Sequence, residues 1–251
     1  MHSNRQPSSA PGPVSLQAVL WDMDGTLVDT EPYWIESEYD LVERHGGSWS
    51  EGQARQLVGQ SLVYSAGLLQ DAGVRLERRQ IIDELIGQVI SKVRRYIPWR
   101  PGARELLHGL YEAEVPCALV TMSEGPLAAE IVSRLPHPYF RLHVTGDMVA
   151  NGKPHPEPYL LALERLGETV EGITAAGCVA LEDSLPGATS AQAAGLTTVG
   201  IPHIIALPED AGRVHWDTLS GRTVADLRNL LAAGDRSAFS SAGTRAGDWA
   251  E

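Results

Sequence analysis

The sequence predicts an α/β fold: a mostly parallel sheet with helices on it, interrupted by a helical insertion. Three observations carry that prediction. Short apolar runs recur along the chain, each ending in a polar cluster and followed by a stretch with helical spacing. Between residues 30 and 98 this rhythm breaks, and four helical patterns follow one another. At 251 residues and 43% apolar content, the chain can build one large core or two modest ones.

Taken in order, residues 1–15 are rich in Pro, Ser and Gly and lack an apolar run, so they are expected to form a flexible tail and not a signal peptide. LQAVLWD at 16–22 reads as a strand buried on both faces. The patterns PYWIESEYDLVERHG, SEGQARQLVG, YSAGLLQDAG and LERRQIIDELIGQVISKVRRYI follow as helices, and PWRPGARELLHGL, punctuated by two prolines, returns the chain to the sheet. Further strands are expected at VPCALVT (115–121), GCVALED (177–183) and LTTVGI (196–201). Helices are expected from GPLAAEIVSRL, PYLLALERLG and LPGATSAQAAG, with Gly167 and Gly195 at C-caps. The small, polar stretch 234–251 is expected to be a disordered tail. The division is then a core of 16–29 plus 99–233, carrying a helical insertion at 30–98.

Twenty Lys plus Arg against 32 Asp plus Glu give a net charge of −12. With no basic run, that balance argues against nucleic acid or an anionic membrane as a partner and leaves room for a small phosphorylated ligand. Cys117 and Cys178 sit in apolar runs and read as buried hydrophobes, without the spacing of a zinc site. No stretch reaches the ~18–20 apolar residues of a membrane span. The expectation is a cytoplasmic monomer or weak dimer.

Chemistry gathers at the strand ends, where open α/β sheets bind ligands. Asp22-Met23-Asp24-Gly25-Thr26 closes the first run, Thr121-Met122-Ser123 the second, and Glu182-Asp183-Ser184 a later one; Lys153 lies in the loop GKPHPE. Carboxylates meeting at one edge repel by about 4 kcal/mol at ~4 Å and an effective dielectric near 20, so they require a cation. An all-oxygen donor set favours Mg²⁺. A Lys and hydroxyls beside it suit a phosphoryl group, and a carboxylate can accept that group covalently.

DMDGT, Thr121, Lys153 and the Glu182–Asp183 pair, in that order, resemble the four motifs of the haloacid dehalogenase superfamily. ALEDSLPGATSAQAAG and DMDGTLVDTEPYW resemble its β-phosphoglucomutase-like and sugar-phosphate phosphatase branch. The resemblance spans residues 16–232. It implies a Rossmann-like parallel core with an α-helical cap, and a Mg²⁺-dependent phosphatase acting on small phosphomonoesters through an aspartyl phosphate. By resemblance, Asp22 is the nucleophile and a metal ligand. Asp24 is the general acid/base and offers its backbone carbonyl to the metal. Thr121, Met122 and Ser123 meet the phosphoryl group, Lys153 neutralises it, and Glu182 and Asp183 hold the ion. The second aspartate favours phosphoryl transfer over dehalogenation, because an alkoxide leaving group needs a proton.

Against a mutase, Trp34 stands where mutases of this branch carry a His, the 58–62 stretch lacks their Arg, and Glu124-Gly125 replaces Lys-Asn. Trp34 is nonetheless placed over the mouth of the site, whereas Tyr33 and Tyr39 read as core. Ser184 reads as an N-cap and Glu157 as a support for Lys153 or a cap. His155 reads as structural, and His45, His108, His203 and His215 carry no legible signal.

Overall fold

A computed structural model describes residues 15–240 apart from Gly59 and Ala211, with side chains described as far as residue 232. Strand β1 (Ala18–Trp21) opens the fold. Four helices follow: α1 (Glu31–Arg44), α2 (Glu51–Leu57), α3 (Leu62–Asp71) and α4 (Arg78–Arg95). The chain then alternates through α5 (Ala103–Glu112), β2 (Cys117–Val120), α6 (Gly125–Ser133), β3 (Phe140–Val144), α7 (Glu157–Gly167) and β4 (Cys178–Glu182). It closes with α8 (Leu185–Ala193), β5 (Thr197–Gly200), β6 (Arg213–His215) and α9 (Val224–Ser240).

All six strands are parallel, in the order β3-β2-β1-β4-β5-β6. The chain builds outward from β1 to β3 and then restarts on the other side of β1, so the order reverses between β1 and β4. Ligands bind at such a switch point. Successive β1 side chains feed opposite faces. Val19 and Trp21 pack with α5, α6 and α9, whereas Ala18 and Leu20 pack with Tyr159 and Ala162 of α7 and Ala191 of α8. Cover on both faces explains why the strand is apolar at every position. The first cluster continues into the insert through Leu41, Leu69, Leu85 and Val89.

The two connections to the insert run side by side. Asp29 N donates to the Pro98 carbonyl at 2.7 Å, Arg100 N donates to Leu27 at 3.0 Å, and Val28 bridges Trp99 in antiparallel fashion. The insert also rests on α6 through Arg79, bidentate on Glu124 at 2.8 and 2.9 Å, and through Arg94 on Glu130 at 3.0 Å. Glu124, which departs from the mutase pattern, therefore anchors α4.

Three sequence expectations are corrected. Helix α9 continues through Gly234 to Ser240, so the tail boundary at 234 falls inside a helix; one Gly costs a helix only about 1 kcal/mol. The remaining tail residues, 1–14 and 241–251, lie outside the described residues. Gly167 is the last residue of α7 and its cap is Glu168 in right-handed geometry, whereas Gly195 does take the left-handed conformation after α8, with φ +83. The sheet also has two strands, β3 and β6, that the apolar runs did not announce. Both are edges: in β3 only Phe140 and Val144 are buried, and in β6 no residue is.

Candidate active site

Asp22 follows β1 directly, its N–H bonded to the Leu181 carbonyl of β4 at 3.0 Å, which places it at the switch point. It is 6% exposed. Its Oδ1 accepts from Lys153 Nζ at 2.7 Å, while Oδ2 is buried with no hydrogen-bond partner among the described residues. Burial pushes its carboxyl up to about 7 despite the Lys153 ammonium, with Glu182 and Asp24 pushing the same way.

Lys153 lies in the loop between β3 and α7, and its Nζ also donates to the Val120 carbonyl at 2.8 Å and meets Glu182 Oε1 at 2.6 Å. All three ammonium protons are thereby engaged. Burial draws its pKa down, but Asp22 and Glu182 outweigh it and hold the group charged. Glu182 is fully buried and accepts from Tyr159 OH at 2.5 Å. Gly187 lets α8 approach it: a Cβ there would stand 1.9 Å from the Glu182 carboxylate. Ser184 caps α8 by accepting from Gly187 N at 3.2 Å, as expected.

Asp24 faces a ring of hydroxyls. Its Oδ1 accepts from Thr30, and its Oδ2 accepts from Ser123 at 2.7 Å and Thr121 at 3.2 Å. Thr121 and Ser123, expected at the phosphoryl group, are thus turned to Asp24 here. Met122 Sδ accepts from Lys153 N at 3.2 Å, so its side chain supports the lysine loop. Gly25 completes the motif for a steric reason. Its φ is +90, and a Cβ would lie 2.0 Å from Asp183 Oδ2.

Oxygens of Asp22, Glu182 and Asp183 lie within 4.8 Å of one another. Burial, then Asp22 and Glu182, raise Asp183 well above the ordinary carboxylate range. Three crowded carboxylates, an orphaned Asp22 oxygen and a donor set made only of oxygen fit a hard divalent cation. The Asp24 side chain, expected near the ion, is not among these three and is turned to the hydroxyls instead.

Asp22, Asp24, Thr121, Ser123, Lys153 and Asp183 line a cavity of about 370 Å³, roofed by the insert and also lined by Trp34, with Glu182 buried behind them. Sequence reasoning missed several residues around it. Glu31 and Glu38 lie on the Trp34 face of α1, at spacings of three and four residues that a helical reading from Trp34 could have reached. His203 lines the cavity with its Nε2 2.8 Å from Asp29 Oδ1, a pairing across 174 residues that no local pattern announces. Tyr159, the partner of Glu182, looks like an ordinary core aromatic. Glu157 holds the lysine loop by accepting from the backbone of Ala150 and Asn151 at 2.8 and 2.9 Å.

The phosphorylated carbohydrates phosphatase of Thermotoga maritima is 34% identical over 194 residues, 75% of this chain and 86% of that protein. Hexitol phosphatase B of Escherichia coli K12 is 28% identical over 201 residues, 76% of this chain and 85% of that one. The crystal structure of CbbY from Rhodobacter sphaeroides in complex with phosphate matches with a TM-score of 0.76 and 26% identity, over 84% of this chain and 99% of that chain. The family described as haloacid dehalogenase-like hydrolase matches residues 19–201, from within β1 to just beyond β5. The chain belongs to the haloacid dehalogenase-like hydrolase family.

Proposed function

We propose that this protein hydrolyses small phosphomonoesters, sugar or polyol phosphates among them, through transient phosphorylation of Asp22. The observation that carries the reading is the Asp22 carboxylate: one oxygen is held by Lys153, the other has no partner among the described residues, and the residue lines a cavity beside Asp24. The names of the curated relatives support the substrate class.

Asp22 attacks phosphorus with a carboxylate oxygen as the ester P–O bond breaks, and Asp24 gives its proton to the departing alkoxide. Asp24 then takes a proton from water as that water attacks the aspartyl phosphate, releasing inorganic phosphate and restoring Asp22. Lys153 stays fixed between Asp22 and Glu182 and offsets the charge accumulating on the phosphoryl oxygens. Glu182 and Tyr159 are positioning residues for Lys153. Asp22, Asp183 and Glu182, with the Asp24 carbonyl that the family resemblance implies, would hold Mg²⁺, which supplies positive charge to the phosphoryl group when bound. The helices at 31–95 act as a cap that admits the phosphorylated metabolite and excludes bulk water.

The working form is a cytoplasmic monomer or weak dimer without a nucleic-acid partner. Among the described residues no helix is long and apolar enough to cross a membrane. Release of p-nitrophenol from p-nitrophenyl phosphate tests the reading. EDTA should stop it, Mg²⁺ should restore it, and Asp22→Asn should abolish it in a folded protein. Full activity of Asp22→Asn overturns the covalent route.

A further inference from the structure

The insert's wall of the cavity is acidic and, among the described residues, carries no Lys or Arg. Glu31, Trp34 and Glu38 share one face of α1 and line the cavity, with Leu85 of α4 beside them. Glu38 is only 4% exposed, and the hydrogen bond its carboxylate makes is one accepted from Trp49 Nε1 at 3.3 Å. Neither glutamate forms an ion pair among the described residues. Lys153 is the sole Lys or Arg among the described residues lining the cavity, and its three protons are taken by Asp22, Glu182 and Val120. His203, at the rim, is paired with Asp29. Burial, with Asp24 and Asp29 adding, raises Glu31 to about 7. Burial and Glu31 raise Glu38 to about 8, against the Trp49 hydrogen bond.

We infer that Glu38, with Glu31, selects substrates by charge: the cavity accepts a phosphomonoester whose remainder is neutral and bears hydroxyls, and rejects one ending in a carboxylate or a second phosphate. The inference rests on the phosphatase reading and narrows its substrate class. A carboxyl group accepts hydrogen bonds from hydroxyls when ionised and can donate one when protonated, so a polyol is satisfied in either state. When ionised, the two carboxyls repel a second anion, and among the described residues lining the cavity no Lys or Arg besides the engaged Lys153 is there to meet it. The discrimination is therefore expected on the alkaline side of about 8, where both are charged. Trp34 and Leu85 offer apolar surface to the C–H edges of such a ligand.

Glucitol 6-phosphate and 6-phosphogluconate make a matched pair of probes, differing at carbon 1 by hydroxymethyl against carboxylate. Each is assayed with Mg²⁺ at about pH 9, where Glu31 and Glu38 are ionised, as a substrate and as an inhibitor of p-nitrophenyl phosphate hydrolysis, so a compound that is not turned over still reports its binding. Glucitol 6-phosphate is expected to be favoured at least tenfold, about 1.4 kcal/mol. Glu38→Gln, which removes the ionisable group and keeps its shape, should narrow that ratio at least threefold; if that variant does not fold, Glu31→Gln is read in the same way. Equal potency of the two compounds on the unmodified protein, including none from either, overturns the inference, as does a ratio that the Gln variant leaves unmoved. Absence of p-nitrophenyl phosphate hydrolysis by the unmodified protein instead overturns the phosphatase reading on which the inference rests.

Discussion

Replacing Lys153 by Met keeps most of the side-chain volume and removes the one cation from a closed cluster. Its Nζ lies 2.7 Å from Asp22, 2.6 Å from Glu182 and 2.8 Å from the Val120 carbonyl, with the Lys153 side chain 4% exposed. The substitution leaves two buried carboxyls facing each other without their partner. Removing one member of a buried ion pair typically costs about 3–5 kcal/mol. At roughly 2–4 °C per kcal/mol for a domain of this size, the melting temperature should fall by about 6–20 °C. The loss has a definite pH dependence. Asp22 sits at about 7 with Lys153 in place, and Lys153 is the largest influence holding it down. Without the ammonium its folded-state pKa rises further above the unfolded value near 3.9. A group raised in the folded state contributes stability that is fully present below the unfolded pKa and lost as pH rises through the folded one. The gap between the unmodified protein and Lys153→Met should therefore widen from pH 5 to pH 8. Urea denaturation in EDTA at both pH values measures it. Equal stability at pH 8, or a gap wider at pH 5, refutes the reasoning.

Gly25→Ala should cost about 1–3 kcal/mol from its positive φ, and it should also push Asp183 aside, because the new Cβ would lie 2.0 Å from Oδ2. Turnover should fall about 100-fold, the usual consequence of an ångström-scale displacement at a reacting centre; near-normal turnover in the folded variant contradicts the tight fit. Mg²⁺ should bind more tightly at pH 8 than at pH 6, because Asp22, at about 7, and Asp183, higher than usual, must lose protons to ligate it. Calorimetry in two buffers of different ionisation enthalpy reads that proton release, and a dissociation constant independent of pH counts against the proposed ligands.

Legibility followed burial and locality. Strands β1, β2, β4 and β5 lie inside the sheet and are covered on both faces, so unbroken apolar runs marked them. The edge strands β3 and β6 mix Arg and His with apolar residues and left no such trace. Asp22, Asp24, Lys153 and Asp183 were readable because each sits in a short, chemically distinctive segment at a strand end or a loop. Glu31 and Glu38 were not, because an acid on an amphipathic helix ordinarily marks the solvent face; only the roofing of the cavity turns these two inward. The Asp29–His203 and Tyr159–Glu182 pairs depend on tertiary approach across the sheet edge and have no signature along the chain.

Strand β1 is hydrogen-bonded on both sides and inaccessible to solvent along its whole length. Segments of that kind open only when the entire domain does. Asp22 is tethered directly to that strand, while the helices at 31–95 join the sheet through two short crossings, the Arg79–Glu124 and Arg94–Glu130 pairs and a shared apolar cluster. On the proposed reading, side chains that meet the rest of the substrate can vary on those helices while β1 keeps Asp22 in place.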